Sequence, residues 1–179
     1  MKQSISRFLI VGFLGMAQFA SGRSVFEEQA FLPFASVQVG QPVALSGPLL
    51  DGTTFDITQE SGKVVVIDFW ATWCGPCTSM SRDLKALYAK YQNRDVEFVG
   101  VSLDYRAQDL EQYVRIHSIA WPQIYHTTRS GRSKATGDFN VSSIPALFVV
   151  GKDGTLQSGR LSSTSQVDRA IARVLNMSP

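Results

Sequence analysis

Hydrophobic residues in the middle of the chain change from an unbroken run to a helical spacing within a few positions. Residues 64–67 read Val-Val-Val-Ile inside the segment 63–70, a pattern typical of a strand that is buried on both faces. After Pro76 apolar side chains recur every three or four residues, which predicts an amphipathic helix. The predicted buried stripe of this helix consists of Met80, Leu84, Leu87, Tyr88 and Tyr91.

The same alternation continues along the chain. Residues 96–103 predict a second buried strand. Helical spacing follows it, with Asp104 as a candidate N-terminal cap. The residues with that spacing are Leu110, Tyr113, Val114 and His117.

The last third predicts a strand, a turn and a closing helix. Residues 146–150 predict the strand, 152–154 (Lys-Asp-Gly) a turn, and Leu156 part of a returning strand. Ser162 or Ser163 is expected to cap the helix. Its predicted buried face consists of Val167, Ile171, Val174 and Leu175.

The first third predicts an export segment, a linker and a hairpin. Residues 1–22 combine a basic start, an apolar stretch of about 13 residues and small residues, as in a signal peptide cleaved after Gly22. That stretch is shorter than the roughly 20 residues that span a membrane, although retention as an anchor is the alternative. Residues 23–36 are expected to be a linker or lead-in segment. Short apolar pieces within 41–57, interrupted by Gly and Pro, predict a small hairpin.

Composition limits the classes of function. The 179 residues suit one domain, expected over 37–179, and 44% hydrophobic residues can form its core. A net charge of +2, without a run of Lys or Arg, argues against nucleic acid as a partner. The only two cysteines, Cys74 and Cys77, are too close in sequence to form a stabilising disulfide framework, so we interpret them as one site.

The two cysteines lie where the predicted strand gives way to the helix. Three-residue spacing places both side chains on one helix face, where a disulfide can form. Gly75 permits a tight turn, and Pro76 suits the first helical turn because its missing N–H has no partner to lose there. Unpaired N–H groups and the helix dipole are expected to lower the pKa of the Cys74 thiol. We therefore predict that Cys74 attacks and that Cys77, which should be more shielded, resolves the mixed disulfide.

Asp68 interrupts the apolar strand six residues before Cys74. A buried carboxyl group there would have a raised pKa and could accept the proton of Cys77. Alternatively, Asp68 marks the solvent end of the strand. Zinc binding is a further alternative for a C-x-x-C pair, but the chain offers no second pair of ligands. His117 is interpreted as a residue at the edge of the core and His126 as a surface residue.

Residues 64–77, which read VVVIDFWATWCGPC, resemble the active-site strand and turn of the thioredoxin superfamily. Segments 51–55 and 61–63, together with the signal segment, resemble its extracytoplasmic TlpA/ResA-like branch. The resemblance continues through 141–150 and 152–154 and covers roughly residues 37–176. It implies an α/β thioredoxin fold, a three-layer sandwich with a central mixed β-sheet and an N-terminal β-hairpin extension.

The resemblance also implies roles for individual residues. Pro145 would follow a cis peptide bond opposite the cysteines and turn the Ile144 backbone toward a bound substrate chain. Trp73 would lie against Cys74, and Asp68 matches the buried carboxylate of thioredoxins. The predicted substrate-binding residues are Trp73, Gly75, Pro76, Ile144 and Pro145. Met80 and Arg82 depart from the acidic residue and proline that many relatives have at these positions, which bears on substrate choice.

The implied function is thiol-disulfide exchange with protein substrates in the periplasm or a similar compartment. A reductase would need electrons from a membrane thiol reductant, and apocytochrome thiols in cytochrome c biogenesis are candidate substrates. We expect a monomer without a metal or cofactor. A disulfide oxidase or isomerase, and a non-catalytic binding module, are the alternatives.

Overall fold

The structure is a computed structural model that describes residues 36–125 and 133–176. Within these residues the chain forms six strands, four α-helices and one 3-10 helix. In chain order the elements are β1 (Ser46–Pro48), β2 (Thr54–Asp56), the 3-10 helix (Ile57–Glu60), β3 (Val64–Trp70), α1 (Gly75–Tyr91), β4 (Val96–Ser102), α2 (Ala107–His117), β5 (Gln123–Tyr125), α3 (Lys134–Asp138), β6 (Ala146–Val150) and α4 (Thr164–Asn176). The predicted signal segment, nearly all of the predicted linker, and His126 lie outside the described residues.

The apolar run of β3 forms the centre of a four-stranded sheet. Every residue of β3 is buried, as expected for a strand covered on both faces. The strand order is β5-β4-β3-β6, in which β4 runs parallel to β3, β5 runs parallel to β4, and β6 runs antiparallel to β3. The sheet is therefore mixed, as predicted.

Alternate residues of β3 supply two separate cores. Val64 and Val66 pack with residues of α1 and α4. On the other face, Val65, Ile67 and Phe69 pack with α3 and with apolar residues of the segment 43–57. Strands β1 and β2 pair as an antiparallel hairpin on this second side. The predicted three-layer arrangement and the hairpin extension are both confirmed.

The predicted helix stripes lie against the sheet. In α1, Leu84, Leu87 and Tyr91 are buried, and Met80 and Tyr88 pack against the same core. In α4, Val167 and Ile171 are buried, and Val174 and Leu175 pack at the core's edge. Of the two candidate caps, Ser163 precedes the helix directly, and its hydroxyl accepts a hydrogen bond from the Gln166 N–H at 3.4 Å.

Three local predictions are wrong. Asp104 does not cap α2: the capping position belongs to Arg106, and the Asp104 carboxylate binds elsewhere. His117 is exposed, with its ring 4.0 Å from that of Tyr113, rather than at the edge of the core. Leu156 returns beside β6 through isolated bridges and not as part of a regular strand.

Short elements with little sequence signal were not predicted. Strand β5 has three residues, helix α3 has five, and the 3-10 helix has four. Such short segments do not contain a full hydrophobic period, so contacts with the rest of the fold determine them.

Candidate active site

The cysteine pair occupies the junction between β3 and α1. Cys74 is the N-cap of α1 and Cys77 lies in its first turn, with their Cα atoms 5.2 Å apart and their sulfur atoms joined in a disulfide. Pro76 stands at the start of the helix, where no intrahelical N–H bond is lost. The Cys77 N–H points at Cys74 Sγ across 3.2 Å. The N-terminal end of the helix thus supplies a donor to the sulfur that would carry charge in the reduced protein.

The two sulfur-bearing residues lie just below an exposed surface. Cys74 is 6% exposed and Cys77 is 3% exposed, whereas Gly75 and Pro76 between them are exposed. Trp73, immediately before the pair, is 54% exposed. A macromolecule can therefore directly contact the exposed residues beside the disulfide, which we call the rim of the site.

The loop before β6 approaches the disulfide from the opposite side. The Ile144–Pro145 peptide bond is cis, and the Ile144 carbonyl oxygen lies 3.9 Å from Cys74 Sγ. Both loop residues are half-buried. The fold thus brings together positions 74 and 144, which are 70 residues apart in sequence.

Asp68 is buried within β3 and is only 6% exposed. The alternative that it marks the solvent end of the strand is therefore wrong. Strand alternation gives it the same face of the sheet as Val66, the face covered by α1. Its side chain makes no hydrogen bond with the described residues, and burial alone raises the pKa of this carboxyl to about 7.

Tyr105 belongs to the rim of the site, although no motif in the sequence marked it. Its ring is 61% exposed and stacks on the ring of Trp73, with centroids 5.9 Å apart and an interplanar angle of 16°. The two residues are 32 positions apart, so only the parallel pairing of β3 and β4 brings them together. A tyrosine three residues past the end of the second buried strand was the available signal.

Two further features bear on the predicted chemistry. No group of three or more His, Cys, Asp or Glu side chains that could hold a metal ion occurs within 36–125 and 133–176. Over the same residues no helix has the length and apolar character needed to cross a membrane.

Comparison with known proteins identifies the family. Residues 62–156 match the thioredoxin-like family, and this match includes the cysteine pair, Asp68 and the cis-proline loop. The match covers more than half of the chain, which therefore belongs to the thioredoxin-like family.

Individual relatives agree with this assignment. Thiol-disulfide oxidoreductase ResA of Bacillus cereus is 28% identical over 105 residues, which are 59% of this chain and 58% of that protein. The chain thus matches somewhat more than half the length of this curated relative. A thiol:disulfide interchange protein of the thioredoxin family from Chlorobium tepidum TLS superposes with a TM-score of 0.65 at 26% identity, over 79% of this chain and 99% of the other.

The fold is also shared more distantly. The thioredoxin domain of a thiol-disulfide oxidoreductase from Bacteroides vulgatus superposes with a TM-score of 0.69 at 21% identity. This likeness covers 78% of this chain and 99% of that domain. At this level of identity it supports the thioredoxin fold alone.

Proposed function

We propose that this protein is a thiol-disulfide oxidoreductase that exchanges disulfides with protein substrates through Cys74 and Cys77. The observation that supports this most directly is a disulfide at the N-terminal end of α1, with the Ile144 carbonyl 3.9 Å from Cys74 Sγ. A redox-active pair needs one sulfur at the rim and a second within bonding distance. The pair in the structure is the oxidised state of such a site.

The proposed cycle starts from the reduced protein. The Cys74 thiolate attacks one sulfur of a substrate disulfide, which forms a mixed disulfide and expels the other substrate sulfur as a thiolate. Cys77 then loses its proton and attacks Cys74 Sγ, which releases the second substrate thiolate. Two electrons pass to the substrate, and the protein is left with the Cys74–Cys77 disulfide.

Asp68 is proposed to accept the Cys77 proton in the second step. A carboxyl group with a pKa of about 7 takes up and releases protons at neutral pH, whereas an ordinary aspartate would remain ionised. Its position on the sheet face covered by α1 is consistent with a path to the cysteine pair. The absence of competing hydrogen-bond partners among the described residues leaves its oxygens available for this proton.

The substrate chain is proposed to bind along the rim. The backbone of Ile144 before Pro145 would form short strand-like hydrogen bonds with an extended substrate segment. Trp73, Gly75 and Pro76 would contact the residues that flank the substrate's disulfide. All three are exposed and lie next to or between the two cysteines in sequence.

We further propose that the protein acts as a reductase outside the cytoplasm and is recharged by a membrane thiol reductant. The signal-like pattern of residues 1–22 and the resemblance of segments 51–55 and 61–63 to the extracytoplasmic TlpA/ResA-like branch support this location. The Gly75-Pro76 pair between the cysteines resembles that of thioredoxin, whose potential is about −270 mV. A disulfide oxidase or isomerase would need a more oxidising potential.

Two measurements test this function. In the Cys77→Ser variant, mixed disulfides with substrate proteins should accumulate and turnover of insulin disulfides should cease. The matched Cys74→Ser variant should trap nothing, since it lacks the attacking thiol. Retained binding with no turnover in the wild-type protein would instead identify a non-catalytic binding module.

The second measurement is the equilibrium potential of the Cys74–Cys77 couple against dithiothreitol or glutathione buffers. A value near −270 mV would support a reductase. A value near −120 mV would assign the protein to the disulfide donors instead.

A further inference from the structure

Asp104 is a second buried carboxylate near the active site, and it differs from Asp68 because donors surround it. It is 1% exposed and accepts the Thr72 N–H at 3.0 Å and the Thr72 hydroxyl at 2.6 Å. The Ser102 hydroxyl donates to its other oxygen at 2.8 Å. A buried carboxylate is costly unless several donors compensate for its lost water, and here they do so.

These bonds reach into the segment that leads to Cys74. Thr72 lies two residues before that cysteine, in the connection between β3 and α1. The Leu103 N–H donates to the carbonyl of Trp70, the last residue of β3, at 2.8 Å, so the connection after β4 is also bound to the end of that strand. The segment that leads into the active-site helix is therefore attached to the segment after β4 at two points, the end of β3 and Thr72.

The attachment extends to the exposed rim. Trp73 follows Thr72, and Tyr105 follows Asp104, and the rings of these two neighbours stack on each other. One carboxylate thus joins the bases of two loops whose next residues form an exposed aromatic pair. Exposed rings stay in one arrangement only when their backbones are fixed, because stacking alone contributes about 1 kcal/mol.

From this arrangement we infer that Asp104 is a positioning residue for thiol-disulfide exchange. Its hydrogen bonds to Thr72 hold Cys74 at the N-terminus of α1 and hold Trp73 beside Tyr105. Asp104 does not take the proton-accepting role proposed for Asp68, because its oxygens are occupied by donors. The inference rests on the proposed function, for which it adds a residue that acts through its neighbours.

The test compares the wild-type protein with Asp104→Ala and Asp104→Asn. Displacement of a reacting group by about 1 Å can cost up to about a hundredfold in rate. We expect Asp104→Ala to slow insulin reduction at least tenfold. The Asn variant retains a carbonyl oxygen for Thr72, and the Ser102 hydroxyl can turn to accept a hydrogen bond from the Asn amide. The rate of insulin reduction by Asp104→Asn should therefore remain within about threefold of the wild-type rate.

A second measurement reads the position of the sulfur without any substrate. The rate of alkylation of reduced Cys74 by iodoacetamide is followed from pH 5 to pH 9, and its midpoint is recorded. With the connection released, Cys74 Sγ should lose its fixed contact with the Cys77 N–H, and the midpoint in Asp104→Ala should rise toward that of a free thiol, about 8.5.

Ser158→Ala is the matched control. The Ser158 hydroxyl is buried and accepts the N–H of Val149, a residue of β6, at 3.0 Å, so its removal also deprives a backbone N–H of its acceptor. Urea unfolding reports the stability of each variant. The inference is overturned if Asp104→Ala changes neither the rate nor the midpoint more than Ser158→Ala does. A loss in Asp104→Asn as deep as that in Asp104→Ala would also overturn it, since the charge would then be the cause.

Thr72→Val keeps the test decisive if Asp104→Ala does not fold. This variant keeps the hydrogen bond from the residue 72 N–H to Asp104 and loses the one from the hydroxyl. It should slow insulin reduction and raise the midpoint of Cys74 alkylation, as expected for Asp104→Ala. Thr72→Ser, which keeps the hydroxyl, should have wild-type values of both. Unchanged values in Thr72→Val would then overturn the inference. If the wild-type protein reduces no disulfide, the proposed function fails, and the alkylation midpoint alone decides whether Asp104 positions Cys74.

Discussion

Replacement of Asp68 by asparagine should make the oxidised protein more stable at neutral and alkaline pH. The buried carboxyl has its pKa raised from 3.8 to about 7 by loss of water alone. At about 1.4 kcal/mol for each pKa unit, this displacement corresponds to about 4 kcal/mol. Asparagine has nearly the same shape and no charge, so Asp68→Asn should increase the free energy of unfolding by up to about that amount above pH 8.

The pH dependence has a definite sign. Well below pH 3.8 the carboxyl is protonated in both the folded and the unfolded protein, and the two states bind the same number of protons. Between about pH 4 and pH 7 the unfolded chain releases this proton first, so rising pH favours unfolding. The stability associated with Asp68 is therefore present at low pH and is lost as pH rises through about 7.

Urea unfolding of the oxidised protein at pH 4.5, 6 and 8, followed by circular dichroism, measures this effect. The stability of the wild-type protein relative to Asp68→Asn should fall steadily across the series. Asp153→Asn is a control in which the effect on stability should have the opposite sign, because hydrogen bonds from Thr155 lower the pKa of the exposed Asp153 carboxyl. It should slightly destabilise the protein at pH 8. Equal pH slopes for wild type and Asp68→Asn would refute the reasoning.

Three further changes test the packing and the rim. Gly100→Ala would place a Cβ 2.1 Å from Gln123 Oε1, which accepts the Trp70 indole N–H, and should cost about 2 kcal/mol in urea unfolding. Phe98→Ala empties a site that is 2% exposed and should cost about 4 kcal/mol by the same measurement, and a cost under 1 kcal/mol would contradict the described core. Trp73→Ala should leave stability nearly unchanged and slow reduction of insulin more than reduction of a small disulfide, whereas equal slowing of both would argue against substrate contact.

The sequence was sufficient for the long elements because each is long enough to show either an unbroken apolar run or a full helical period. The unbroken run of β3 and the stripe of α1 determined their types, and the change of period between them located the cysteine pair at a helix start. The hairpin was predicted from its turn residues. The short elements β5 and α3 were missed, since three to five residues are too few to show a period.

Asp104 illustrates how sequence position can mislead. An aspartate just before a helical pattern predicts a cap, because its carboxylate can accept N–H bonds of the first turn. In the fold the helix begins later, at Ala107, and the carboxylate turns inward to Thr72. Only one of its donors, the Ser102 hydroxyl, is local; the other donors belong to Thr72, 32 residues earlier, which local sequence reasoning does not include.

The sequence by itself determined the type of the central elements, the location of the cysteine pair at the start of a helix, and the presence of a carboxyl group in the strand before it. These depend on period and spacing, which are local properties. The tertiary structure decided that Asp68 is buried, that Ile144 faces Cys74 across 3.9 Å, and that Tyr105 stacks on Trp73. Each of these depends on which strands become neighbours, since desolvation and long-range contact exist only after the sheet has formed.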